Sequence, residues 1–112
     1  MSRVVHFYTV PANGDVFETI VPSGTEILSA EWRPDPDTPV IQHGDVVLYV
    51  EKPVANGAAP AYRGERKLKV FLVPTGVAFD QADYAFVGTV AQPGYRRSGF
   101  WHVYACLTEV DA

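Results

Sequence analysis

Phe86-Val87-Gly88-Thr89-Val90 and Phe100-Trp101-His102-Val103-Tyr104 flank the segment Gln92-Pro-Gly-Tyr-Arg-Arg-Ser-Gly99. Both runs are rich in β-branched and aromatic residues, and the segment between them is made of turn formers. That combination predicts a β-hairpin. Alternation along its second strand puts Trp101, Val103, Ala105 and Leu107 on one wholly apolar face, which reads as core. Phe100, His102, Tyr104 and Cys106 share the other, mixed face. His102 is expected there as a half-buried side chain with one ring nitrogen hydrogen-bonded.

The same grammar runs through the rest of the chain. Val4–Val10, Val16–Val21, Glu26–Arg33, Val46–Glu51 and Leu68–Val73 read as five further strands. Glycine and proline punctuate them, and Pro34, Pro36 and Pro39 forbid regular pairing across one connection. Leu28, Ala30 and Trp32 are expected on one face of the third strand. Asp80-Gln-Ala-Asp83, within Ala78–Tyr84, is permissive for a single helical turn. No segment sustains helical periodicity, and no repeat or linker divides the chain. The expectation is an all-β, single-domain antiparallel β-sandwich or small barrel of about seven strands spanning residues 1–112.

Length and composition agree. A chain of 112 residues is long enough to bury a core without disulfides or metal. The net charge of −4 argues against general nucleic-acid or anionic-membrane binding. The single cysteine, Cys106, rules out an intrachain disulfide and reads as a small core residue of a reducing compartment. No run reaches transmembrane length, and the N-terminus lacks a signal-type apolar region, so a cytosolic or virion location is expected.

If successive strands alternate in direction, the loops after the second, fourth and sixth strands emerge at one end. Those loops hold most of the positive charge. Arg63, Arg66, Arg96 and Arg97 would then form an anion site, with Tyr62 and Tyr95 as stacking surfaces. Guanidinium groups grip phosphate bidentately, and a phenol ring offers a flat face to a base. The plain alternative is that these residues are solvated loop charges, with Lys67 and Lys69 guarding a sheet edge.

Other chemistry finds little footing. His6, His43 and His102 lack metal-ligand spacing, and His102 and Cys106 lie about 13 Å apart along one strand. Ser23, Ser29 and Ser98 sit in no nucleophile elbow. Neither a cofactor, a metal nor a catalytic residue is expected, and the chain reads as a non-enzyme.

The order of short motifs resembles an uncharacterised family, a domain of unknown function, of small all-β proteins from bacteriophages and actinobacteria. The elements that carry the resemblance are Val4–Val10, Pro22-Ser-Gly24 into Ile27-Leu28, Val46–Val50, Thr75-Gly76 after Val70–Val73, Val87-Gly88-Thr89, and Trp101-His102-Val103-Tyr104. Lys52–Lys67 and Gln92–Gly99 depart from that pattern as longer loops. The resemblance implies a phage-type origin and a β fold, and carries no activity. The expected role is binding: to an anionic small molecule such as a signalling nucleotide, or to an acidic host protein, in the host cytoplasm. The alternative is a structural virion component, capsid-decorating or tail, that assembles with itself or with virion proteins.

Overall fold

In a computed structural model, the structure describes residues 2–12, 15–37, 44–53, 64–93 and 99–110. Seven strands occur among them: β1 (Arg3–Val10), β2 (Phe17–Pro22), β3 (Glu26–Pro34), β4 (Gly44–Pro53), β5 (Glu65–Pro74), β6 (Ala85–Gln92) and β7 (Gly99–Glu109). They form two sheets, in the orders β1-β4-β3 and β2-β5-β7-β6, and every hydrogen-bonded pair is antiparallel. The all-β sandwich expected from the sequence is the architecture found.

The core sits between the sheets. Val10, Val46, Leu48 and Val50 from the first sheet face Leu68, Val70, Leu72, Val90, Val103 and Ala105 from the second. Period-two alternation on the central strands produces this layer, and each buried Val or Leu contributes roughly 1.5–3 kcal/mol relative to exposure. Trp101 and Leu107 pack against it from the apolar face of β7, and Trp101 Nε1 donates to Gln92 Oε1 across the hairpin at 2.8 Å.

β3 departs from simple alternation. A β-bulge between Ile27 and Ser29 shifts the register, so Ile27 joins Ala30 and Trp32 against the core while Leu28 turns outward, 45% exposed. One extra residue in a strand reverses the facing of everything before it. The helical turn expected within Ala78–Tyr84 is likewise absent. Ala82 takes a positive φ of 45°, Asp80 Oδ1 accepts from Ala82 N–H, and Tyr84 N–H donates to Gln81 O. These contacts make an irregular turn.

The direction of the strands also corrects the reading of the loops. β2 and β4 both end where β5 begins: Pro22 pairs with Glu65, and Ser23 N–H donates to Gly64 O. Arg3 holds the same end together, pairing with the Glu51 carboxylate and donating to Gly24 O at 2.9 Å. β5 and β6, however, both run antiparallel to β7 and therefore parallel to each other. Strict alternation fails at this step. The strand ends that flank 93–98, Gln92 and Gly99, lie opposite the end where Arg66 pairs with Glu109. Ten residues of β7 separate the two ends, roughly 30 Å.

Gly44 enables the close approach of β4 to β3. A Cβ there would lie 2.3 Å from Arg33 O and 3.0 Å from Trp32 Cζ2. Gly44→Ala is therefore expected to destabilise the fold by about 1–3 kcal/mol through overpacking. At Gly88 a Cβ would meet nothing within 4 Å, so Gly88→Ala should stay within about 0.5 kcal/mol of wild type. Urea unfolding of the two variants side by side checks both values.

Candidate functional site

The parallel relation of β5 and β6 has a direct consequence for residues 75–84. β7 lies between those strands, so the connection must cross over one face of β7. It crosses on the side away from the core and carries aromatic side chains with it. Phe79 packs on Phe71 and Tyr104, with ring centroids 5.7 and 4.7 Å away, and Tyr84 meets Phe71 edge-on at 4.6 Å. Phe71 and Tyr104, partners in the β5–β7 ladder, stack at 5.5 Å, and Phe86 from β6 meets Tyr104 at the same separation. Such pairs contribute about 0.5–1.5 kcal/mol each beyond their buried area.

The cluster is buried on one side only. Phe71, Tyr84 and Tyr104 are half-buried, whereas Phe79, Phe86, Phe100 and Val77 are 42%, 54%, 48% and 53% exposed. The outer face of this sheet is thus an aromatic surface open to solvent.

Beside the cluster, His102 ties three elements together. Its Nε2 lies 2.8 Å from Thr75 Oγ1 and its Nδ1 lies 2.9 Å from Thr89 Oγ1. Thr75 follows β5 at the start of the crossover, Thr89 is the β6 partner of His102, and a turn closes as Val77 N–H donates to Pro74 O. A hydroxyl both donates and accepts, so either imidazole tautomer satisfies both bonds. His102 is half-buried as expected, and both ring nitrogens are engaged rather than one. Thr75-Gly76, Val87-Gly88-Thr89 and Trp101-His102-Val103-Tyr104, separate along the chain, converge at this point.

Further along the same face, Cys106 pairs with Lys69 in the ladder, and Lys69 reaches Glu18 at 4.0 Å. Burial pushes the Cys106 thiol above its usual range, partly offset by the Lys69 ammonium, with Asp83 adding to the rise. Cys106 thus lies on the mixed face of β7 and not in the core.

Of the residues expected to hold an anion, Arg66 is among those described. It is partly exposed and meets Glu109 at 3.3 Å. Tyr62, Arg63, Tyr95, Arg96 and Arg97 lie outside the described residues. The described strand ends that flank 54–63 and 93–98 are at opposite ends of the second sheet. Most described cations also have partners: Arg3 with Glu51, Lys52 with the Tyr8 hydroxyl, Arg33 over the Phe7 ring, and Lys69 with Glu18. On the outer face of the first sheet, a shallow depression of about 230 Å³ is lined by Arg33, Asp35 and Asp45, of mixed charge. No group of three or more His, Cys, Asp or Glu that could hold a metal ion occurs among the described residues.

Two measurements address this face. Thr75→Val removes one His102 bond and should cost about 1 kcal/mol. It should speed amide exchange over 77–84 while the β5–β7 ladder stays protected. The Cys106 thiol should react with a disulfide reagent at pH 8 more slowly in the folded protein than in urea. Its folded pKa is raised, so its contribution to stability is complete below the unfolded thiol pKa. That contribution is lost as pH rises through the folded value, and Cys106→Ala should flatten this alkaline decline.

No curated protein and no solved structure matches the chain. A family model does, over residues 1–110: the Domain of unknown function (DUF7352). An uncharacterised family was expected from the sequence, and the chain belongs to this one.

Proposed function

We propose that the protein acts by binding a protein partner through the aromatic outer face of the β2-β5-β7-β6 sheet, as an assembly or structural subunit. The observation that carries this reading is the exposure of Phe79, Phe86, Phe100 and Val77 around a half-buried aromatic cluster. Protein interfaces are enriched in aromatic residues and depleted of charge at their centres, and a few such anchors supply most of the binding energy. The His102 bonds and the stacked rings beneath give the surface a preorganised base, which lowers the entropic cost of association.

Sequestration of an anionic small molecule is the weaker reading. It drew on a joint basic end, and most described cations already face an anion, a phenol or a ring. A phage-type origin belongs to the same proposal: a virion subunit that joins neighbouring proteins is one role such a face suits.

The test compares wild type with a Phe79→Ser/Phe86→Ser variant. A partner retained by the immobilised wild type from producing cells is purified, and its affinity is measured by calorimetry. The variant is expected to bind at least about tenfold more weakly, a loss typical of interface anchors. Equal affinity would remove the aromatic face from the contact. Nucleotide mono-, di- and cyclic phosphates titrated in the same instrument should give no binding heat. Heat abolished by Arg96→Ala/Arg97→Ala would transfer the function to the basic loops.

A further inference from the structure

Two open sheets have four edge strands, and three of these carry features that discourage pairing with another chain. β2 is six residues long, with Glu18 on it and Pro22 at its end. β3 carries the bulge, Glu26, Glu31, Arg33 and a terminal Pro34. β6 has an irregular register between Phe86 and Gly88. Short length, charge, proline and bulges are the usual guards of a sheet edge.

β1 has the fewest of them, its one formal charge being Arg3 at its first position. Arg3–Val10 is an eight-residue strand, and its register with β4 is unbroken from Arg3 opposite Pro53 to Val10 opposite Val46. Its other side has no hydrogen-bonded strand neighbour among the described residues. Val5 and Phe7 are 54% and 49% exposed, and no acid, lysine or proline interrupts the strand. Every second N–H and C=O along it points outward without a strand partner among the described residues.

We infer that the free edge of β1 pairs antiparallel with β1 of a second copy, joining two three-stranded sheets into one of six strands. Chain chemistry favours a second copy over an unrelated strand. A two-fold axis perpendicular to the sheet pairs residues whose numbers sum to an even value, because only then do facing side chains share a side. With the axis at His6, Val5 faces Phe7 of the other copy and Arg3 faces Thr9. With the axis at Phe7, Phe7 faces its own equivalent and Val5 faces Thr9. In either register apolar side chains meet, and the one strongly basic residue, Arg3, never faces itself. Arg3 is moreover already neutralised by Glu51. Such pairing adds about six to eight backbone hydrogen bonds. It leaves both aromatic faces of the second sheets free and directed to the same side, which would give a shared partner two contacts at high effective concentration.

Sedimentation velocity over a concentration series tests this on the full chain. Wild type is expected to show a reversible monomer–dimer equilibrium. The Val5→Lys/Phe7→Lys variant places cations opposite each other in both registers and should raise the dimer dissociation constant by about tenfold or more. Amide exchange of wild type should slow at alternate residues of β1 as concentration rises, and this reading decides the matter if the variant fails to fold. A wild type that stays monomeric to its solubility limit overturns the inference. So does a dimer unaffected by Val5→Lys/Phe7→Lys, or β1 amides indifferent to concentration. The Phe79→Ser/Phe86→Ser variant should dimerise normally, and a dimer lost there instead would place the contact on the other sheet.

Discussion

The parallel alignment of β5 and β6, with β7 held between them, is the constraint on which the exposed aromatic surface depends. A connection between two parallel strands separated by a third must traverse the sheet. Residues 75–84 do so across the solvent side of β7, because the other side is filled by Val103, Ala105 and the facing sheet. A chain crossing a sheet face needs contacts there to offset its loss of conformational freedom, about 1–2 kcal/mol per residue for the backbone. Phe79 and Tyr84 provide them on Phe71 and Tyr104, and the Thr75–His102 bond fixes the departure point.

This arrangement leaves the outer face incompletely buried. The crossover is too short to cover the whole outer face, so it shields Phe71 and Tyr104 while leaving Phe79, Phe86 and Phe100 facing water. The surface is stiffened from below by the core and from the side by His102, which is hydrogen-bonded through both ring nitrogens. The residues that reinforce the fold are thus the ones proposed to meet a partner. The opposite sheet differs: what it leaves open among the described residues is the backbone edge of β1.

The strands themselves were legible in the sequence because alternation of apolar and polar residues is a local property. β7 shows this best: the apolar run Trp101, Val103, Ala105 and Leu107 does face the core, and His102 does lie half-buried on the mixed side. Leu28 departs from the expected face because a bulge is set by pairing with β4, and no local pattern marks it. The helical turn expected within Ala78–Tyr84 failed because Phe79 and Tyr84 are drawn onto the sheet, a tertiary demand that outweighs weak local preference. The aromatic face has no local signature, since its members come from β5, the crossover, β6 and β7, with no spacing that signals their meeting.

What the sequence by itself determined is therefore the class of object: seven strands, one core, and membership of a family whose model spans residues 1–110. Tertiary structure decided what those motifs do together. Strand direction cannot be read from side-chain periodicity, since an alternating strand looks the same in either orientation. Only the pairing of β5 and β6 with β7 shows that they run the same way. That pairing sets the ends flanking 54–63 and 93–98 apart, brings Thr75 and Thr89 to the two nitrogens of His102, and leaves an aromatic face exposed.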